Sequence, residues 1–378
     1  MNRFYFDHNA TTPVCPEAAQ AWSCSLTDAW ANPSSIHRDG QAARNALESA
    51  RAQVAALLHC QPAQIVFTSG GTESDNLAIL GAVRAHPGSR KHVVTSTIEH
   101  PAVLAACAQL EREGVAVTYV GVDASGLVNP DYVKRSLRPE TVLISLMHAN
   151  NETGVVQPVE QIAALAREAG VLMHSDGVQA AGRLQMPQVD LYSVSAHKMY
   201  APKGCGALYV RSGIELQTML YGGRHERSRR PGTENVAGAV AFGAAAGLAQ
   251  DNDRLPALRD RLESAIIAQV PGTRINGSGA PRISNTTNIS FQGVEGESLV
   301  IALDLRGFAV STGAACSSGA LEPSHVLLAM GLPREQAKAS LRFSLGRGND
   351  ESQVDALISA VIASAAHLRR LSPTYAHV

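Results

Sequence analysis

Short apolar stretches alternate with helix-like stretches through the first 250 residues, and this alternation constrains the fold more than any other feature of the sequence. Gln64–Thr68, His92–Ser96 and Thr141–Leu146 are rich in β-branched residues, as strands are. Apolar residues at helical spacing follow at 159–169, and a further strand begins at Val171. Strand, helix and strand in this order form βαβ units, so the pattern predicts an α/β fold with a mainly parallel sheet.

The pattern changes near residue 250. An alanine-rich helix is predicted at 238–250, with more helix at 255–270. Beyond these the sequence predicts a strand at Thr287–Phe291 and a final amphipathic helix from Glu351 to Leu371. We therefore expect a domain boundary near residue 250.

Charge and cysteine usage exclude several classes of protein. Lys and Arg total 32 against 33 Asp and Glu, so no basic excess is available for a nucleic acid. The chain lacks an uncharged apolar stretch of roughly 18 residues, so no membrane span is expected. The start, Met1–Asp7, is strand-like with an early acid, unlike a signal peptide. The six cysteines contain no C-x-x-C pair, so neither a disulfide framework nor a zinc site is indicated. The expectation is a cytoplasmic globular protein.

A glycine turn before a predicted helix, Thr68–Ser74, is the first candidate site. Backbone N–H groups at a helix start bind anions, and the Thr72 hydroxyl adds a donor. An ordinary capped helix explains the same residues equally well. This motif alone leaves the two readings open.

Asp176 lies where the strand that begins at Val171 ends, the edge at which open α/β sheets hold ligands. A carboxylate there can pair with a cationic ring nitrogen, and Gln179 follows three residues later. His174 and Asp176 would share a strand face, as two metal ligands can, but no third ligand has a typical spacing. A cofactor partner is therefore favoured, ahead of a buried structural aspartate and of a metal site.

Lys198 follows directly after the strand predicted at 190–194, within Ser195–Gly204. A lysine at a strand end, beside His197 and a Pro-Lys-Gly turn, is a candidate Schiff-base former. Burial would lower the pKa of such an amine and free its lone pair. The plain alternative is a solvated loop lysine.

Cys316 lies in a stretch of small residues at 310–321, which predicts a mobile loop. A cysteine exposed on such a loop is either a liability or a nucleophile, and a small buried thiol is the alternative. Arg342 lies in an apolar strand. A buried arginine needs a carboxylate, which substrate or protein could supply.

Together these segments resemble the pyridoxal-phosphate (PLP)-dependent cysteine desulfurases of the NifS/IscS group, within the class-V aminotransferase-like family. The similarity runs from Tyr5 to Pro373, and the loop around Cys316 is of the group's long type. Other matching stretches are Ile98–Pro101, Ala149–Gly154, Gly232–Asn235 and Gly319–His325. The resemblance implies the type I, aspartate-aminotransferase-like PLP fold. Its large domain, residues 14–250, would contain a mainly parallel seven-stranded sheet, and residues 1–13 and 251–378 would form a smaller α+β domain.

The resemblance also implies a role for each matching residue. Lys198 would bind PLP covalently, Asp176 would pair with its pyridinium nitrogen, and His100 would stack on its ring. The other implied cofactor contacts are Gly71, Thr72, Ser195 and His197 at the phosphate, Asn151 and Gln179 at the phenolic oxygen, and Thr233 from a second subunit. Arg342, with Asn151, would bind the substrate carboxylate, and Cys316 would be the nucleophile.

The activity implied by the resemblance is conversion of L-cysteine to L-alanine, leaving a persulfide on Cys316. A homodimer would pass this sulfur to an iron–sulfur scaffold or another acceptor protein. No metal is implied for catalysis, and a cluster would meet the persulfide only during transfer. Selenocysteine lyase, cysteine sulfinate desulfinase and sulfur donation for tRNA thiolation stay open as alternatives. A plain aminotransferase would not need the loop cysteine, and a non-catalytic subunit would not need Lys198 and Asp176.

The chain departs from the family pattern in two places. In the glycine-rich segment 222–232, Arg224, Ser228 and Pro231 stand where relatives often have small residues. The chain also stops soon after Pro373, without the longer tail that housekeeping members use against a scaffold protein.

Overall fold

The predicted alternation of strands and helices is present in the structure, a computed structural model that describes residues 3–249, 253–313 and 322–371. The strands in chain order are β1 Phe4–Tyr5, β2 Ile65–Thr68, β3 His92–Ser96, β4 Ala116–Val120, β5 Thr141–Ser145, β6 Leu172–Asp176, β7 Leu191–Ser195, β8 Gly206–Val210, β9 Thr273–Asn276, β10 Thr286–Phe291, β11 Phe308–Ala309 and β12 Ser340–Ser344. The predicted strands match these bounds to within one or two residues.

The helices are α1 Pro16–Asp28, α2 Arg38–Leu57, α3 Gly71–Ala85, α4 Pro101–Arg112, α5 Pro130–Ser136, α6 Val159–Ala169, α7 Val236–Ala246, α8 Arg254–Gln269, α9 Gly296–Asp304, α10 His325–Ala329, α11 Arg334–Lys338 and α12 Glu351–Leu371. The predicted α6 ends as expected, because Gly170 adopts a left-handed φ of 67° and its N–H bonds the Ala166 carbonyl. The predicted alanine-rich helix ends earlier than 250, at Ala246. Among the described residues, no helix combines the length and the apolarity that a membrane crossing requires.

Seven strands form one sheet in the order β2-β8-β7-β6-β5-β3-β4. Only β8 is antiparallel to its neighbours, so the prediction of a mainly parallel seven-stranded sheet is confirmed. Because β2 and β7 are both antiparallel to β8, the carboxyl ends of β2, β3, β5, β6 and β7 reach the same edge of the sheet. This edge is where an open α/β sheet holds its ligand.

A second apolar core lies outside the large sheet. It is built around β10, flanked by antiparallel β9 and β12, with α8, α9 and α12 packed against them. The N-terminal segment joins this core, since β1 pairs with β11 and Phe6 is fully buried within it. The N-terminal residues therefore share a core with the C-terminal part of the chain. The division into residues 14–250 and residues 1–13 with 251–378 stays a prediction.

Candidate functional site

The glycine turn at the end of β2 leads directly into α3, as the motif Thr68–Ser74 predicts. A Cβ at Gly71 would lie 2.8 Å from Val178 Cγ2 and 3.6 Å from Ser195 Cβ, so the backbone approaches closely here. The free N–H groups of the first helical turn are suited to an anion. Thr72 is exposed next to them.

Asp176 ends β6 and is buried. Its Oδ1 accepts a hydrogen bond from the Val178 N–H at 2.9 Å. Burial raises the pKa of this carboxyl, while the nearby His100 and Lys198 favour its charged form. A cationic group placed against Asp176 would therefore find a poorly solvated carboxylate, where an ion pair is strong.

Lys198 follows β7 in the short 3₁₀ turn Ala196–Lys198. Its ammonium donates hydrogen bonds to the Asn9 carbonyl and, at 2.9 Å, to the Ala10 carbonyl. The Gln179 amide also donates to the Asn9 carbonyl, at 3.0 Å. The structure therefore places the lysine at the sheet edge, held by the N-terminal segment, and the solvated-loop alternative is wrong.

Two histidines flank the lysine. The His100 Nδ1 accepts the Ala102 N–H at 3.1 Å, so this ring caps α4, and burial lowers its pKa. The His197 Nδ1 lies 3.1 Å from Thr11 Oγ1. Burial, together with the Lys198 charge, lowers the His197 pKa to about 4. Burial therefore favours the neutral form of both imidazole rings.

Arg342 lies in β12 and is 2% exposed. One terminal nitrogen donates to Asp7 Oδ1 at 2.6 Å, and the other donates to the Asn151 carbonyl at 3.0 Å. The buried Nε has no partner among the described residues. The protein thus supplies the carboxylate that a buried arginine needs, and the guanidinium retains donors for a second one.

These side chains surround one cavity of about 410 Å³. The predicted residues along its wall are Gly71, Thr72, His100, Asn151, Asp176, Gln179, Ser195, His197, Lys198 and Arg342. Thr233 is exposed and does not line this cavity. Cys316, with the predicted loop around it, lies outside the described residues, whereas Gly313 just before it is part of the wall.

Several site residues escaped prediction from the sequence. Asn9 lines the cavity and its carbonyl bonds Lys198, while Asp7 pairs with Arg342. Asp75 also lines the cavity, is 1% exposed and lies 3.6 Å from His174 Nε2. Burial and the Asp176 charge raise the pKa of Asp75. A polar run directly after the first strand was the available signal for Asp7 and Asn9.

The cavity fits PLP on the evidence of its own polar atoms. Ser195 Oγ and Gln179 Oε1 line it, are buried, and have no hydrogen-bond partner within the part of the chain that the structure describes. Buried polar atoms are normally paired, so both are suited to a polar ligand. The helix start at Gly71 suits a phosphate, and Asp176 suits a protonated ring nitrogen. The donor set therefore matches an anionic heteroaromatic group.

Comparison with known proteins gives matches over nearly the full length of the chain. A family model described as aminotransferase class-V matches residues 4–357. A cysteine desulfurase of Gluconacetobacter diazotrophicus is 46% identical over 384 residues, which cover 99% of this chain and 96% of the relative.

Solved structures agree with these sequence matches. A NifS-like protein superposes with a TM-score of 0.90 at 33% identity, covering 97% of this chain and 100% of that one. A structure described as SspA in complex with cysteine has a TM-score of 0.82 at 35% identity, covering 90% of this chain and 98% of that one.

Proposed function

Because this chain belongs to the aminotransferase class-V family and is, like its relatives, a PLP-dependent cysteine desulfurase, we propose that Cys316 accepts the sulfur and that iron–sulfur cluster assembly receives it. The observation that carries the assignment of roles is the convergence of Lys198, Asp176 and Arg342 on one cavity. Asp176 ends β6, Arg342 lies within β12, and Lys198 lies in the short turn that follows β7.

The residues at the carboxyl edge of the sheet would hold the cofactor. The first turn of α3 at Gly71 and Thr72, with Ser195 and His197, would bind its phosphate. Asp176 would pair with the ring nitrogen, His100 would lie against the ring face, and Lys198 would bind the cofactor covalently. When bound, PLP supplies an electron sink that acidifies the substrate Cα proton.

The remaining chemistry belongs to the protein's own groups. The Arg342 guanidinium, with Asn151 beside it, orients the carboxylate of L-cysteine. The Lys198 amine, once released, takes the Cα proton and later returns one to the product. The Cys316 thiolate takes the substrate sulfur. Overall, L-cysteine and the Cys316 thiol give L-alanine and a persulfide, with no net gain or loss of protons.

Chain connectivity supports this role of Cys316. Gly313 forms part of the cavity wall. Three residues of extended chain reach at most about 11 Å, so covalent geometry alone keeps Cys316 within a short distance of the wall. Among the described residues, no cysteine lines this cavity.

The oligomeric state and the acceptor are part of the same proposal. Thr233 is exposed, away from its own cavity, which suits a residue that completes the phosphate site of a second copy. The proposal is a cytoplasmic homodimer that delivers persulfide sulfur to a scaffold or another acceptor protein.

Cys316→Ser tests the proposal, because a hydroxyl is a far weaker nucleophile than a thiolate and cannot form a persulfide. The variant should bind PLP and L-cysteine normally but release almost no alanine. Mass spectrometry of the wild-type protein after cysteine addition should find the persulfide on Cys316. Normal alanine production by the variant, or a persulfide only on another cysteine, would overturn the assignment.

Lys198→Ala is the companion variant, since it removes the covalent attachment and leaves Cys316 in place. Borohydride reduction should fix PLP to the wild-type protein at residue 198 and should fix none to the variant. Trapping on a different lysine would show that Lys198 has another role.

A further inference from the structure

Glu152 is a buried acid that the mechanism above does not use. It is 3% exposed, and burial raises the pKa of its carboxyl. Its backbone is fixed by the Asn150 side chain, which accepts the Glu152 N–H at 2.9 Å, and by Asn288, whose amide donates to the Glu152 carbonyl at 3.3 Å. A buried carboxylate on so rigid a turn needs a structural or functional reason.

The Glu152 carboxylate is bonded to Ser324, after the segment that carries Cys316, and its side chain lies close to Gly313, before that segment. Glu152 Oε2 accepts the Ser324 hydroxyl at 2.5 Å. The same atom would lie 3.3 Å from a Cβ built on Gly313, which has a left-handed φ of 92°. Gly313 and Ser324 flank the segment on its two sides, so the Glu152 side chain lies beside both flanks.

Both flanks are also bonded to the rest of the site. Before the segment, Ser311 exchanges backbone hydrogen bonds with Arg342, and its hydroxyl accepts the Gly313 N–H at 3.0 Å. After it, Ser324 caps α10 by accepting the Leu327 N–H, and His325 Nε2 lies 2.9 Å from the Glu99 carbonyl. The Glu152 carboxylate faces the charges of His325 and Arg342.

We propose that Glu152 is a positioning residue whose carboxylate fixes the two flanks of the Cys316 segment, so that sulfur transfer depends on it although it does not touch the substrate. The inference rests on the proposed function, because its readout is sulfur transfer to Cys316. Misplacing a reacting group by about 1 Å can slow a reaction 100-fold, so loss of this contact should be visible in turnover.

The test compares Glu152→Ala with Glu152→Gln in the holoenzyme. The amide oxygen of Gln can still accept the Ser324 hydroxyl, whereas Ala cannot. We expect Glu152→Ala to lower kcat for alanine formation at least tenfold, with KM for L-cysteine and PLP occupancy within threefold of wild type. For Glu152→Gln, we expect kcat, KM for L-cysteine and PLP occupancy all to stay within threefold of wild type. Glu322→Gln, which removes an exposed carboxylate at 66% exposure beside the same segment, is the control and should match wild type.

Two further measurements keep the inference falsifiable if Glu152→Ala fails to fold. Ser324→Ala should lower kcat in the same direction, while Ser324→Thr, which keeps the hydroxyl, should not. Hydrogen exchange on the holoenzyme should be faster in the peptides before 314 and after 321 for Ser324→Ala, and unchanged for Ser324→Thr.

The outcomes separate this inference from the proposed function. If wild type makes no alanine from L-cysteine, the proposed function fails. If wild type is active, full turnover by Glu152→Ala or Ser324→Ala overturns the positioning role. A Glu152→Gln variant as slow as Glu152→Ala would also overturn the positioning role. The same holds if Glu152→Ala loses activity only through a higher KM or a lower PLP occupancy.

Discussion

Arg51 donates from both terminal guanidinium nitrogens to the two carboxylate oxygens of Glu226, each at 2.7 Å, and both side chains are almost completely buried. Glu226 begins three consecutive left-handed residues, with φ values of 44° at Glu226, 57° at Arg227 and 64° at Ser228. Such backbone is costly outside glycine. The ion pair therefore holds the strained turn that precedes Thr233.

Glu226→Ala should destabilise the protein by about 3–5 kcal/mol, because it leaves the Arg51 charge buried without its main partner. Urea unfolding at equilibrium measures this loss. Glu48→Ala removes a half-exposed carboxylate from the same arginine and should cost at most about 1 kcal/mol. Equal losses in the two variants would contradict the importance of the buried pair.

Ser228→Gly should stabilise the protein by roughly 0.5–1 kcal/mol, because glycine adopts the left-handed region without strain. The Ser228 side chain is exposed, so little packing is lost. Ser212 is also exposed but does not have a positive φ, and Ser212→Gly should slightly destabilise instead. Thermal unfolding of the two variants side by side decides the matter, and a loss of stability in Ser228→Gly would count against the strain argument.

Asp176→Asn should keep the fold and most of the PLP affinity but lose most of its turnover. The amide cannot hold a proton on the ring nitrogen as a carboxylate does, so the electron sink weakens. Alanine formation, with PLP occupancy measured on the same sample, checks this. Near-normal turnover at full occupancy would refute the pairing.

Mixing a Thr233→Ala chain with a Lys198→Ala chain tests whether the site is shared between subunits. In a mixed dimer both lesions would fall on one site and leave the other intact. Random exchange makes half of the dimers mixed, and each mixed dimer has one intact site out of two. An equal mixture should therefore recover about a quarter of the wild-type activity, above the sum of the activities of the two variants alone. No recovery, despite subunit exchange proven by mass spectrometry, would exclude sharing through Thr233.

Glu99→Gln should change how stability depends on pH. Burial raises the pKa of this carboxyl to about 8, against 4.5 in an unfolded chain. The folded state therefore keeps a proton that the unfolded state loses, so Glu99 destabilises the fold increasingly as pH rises from about 4.5 to 8. The stability of Glu99→Gln relative to wild type should rise by about 3–4 kcal/mol between pH 5 and pH 8.

Glu297→Gln, at an exposed carboxylate, is the control for loss of charge in that experiment. It should show no comparable gain between the two pH values. A pH-independent difference between Glu99→Gln and wild type would show that Glu99 is ionised in the folded protein.

The sequence predicts an element or a site residue well where the local residue pattern also determines its position in the fold. β-branched runs mark strands such as His92–Ser96, and Asp176 and Lys198 follow strands, so parallel pairing brings them to one edge. No such rule joins Asp7 to Arg342, which are 335 positions apart, and the carbonyl of Asn9 has no side-chain signal at all. The buried Arg51–Glu226 pair joins residues 175 positions apart, and only tertiary packing brings α2 and the turn at 226 together.

The pairing of the N-terminal segment with the second core determines when the site can exist during synthesis. Asp7 leaves the ribosome 335 residues before Arg342, which corresponds to roughly 20–70 s at about 5–20 residues per second. Through that interval the core around Phe6 lacks β12 and the final helix, and the cavity beside Asn9 lacks Arg342. Completion of the catalytic cavity is therefore a late event of biogenesis, since a nascent chain paused before β12 lacks Arg342, the residue proposed to orient the substrate carboxylate.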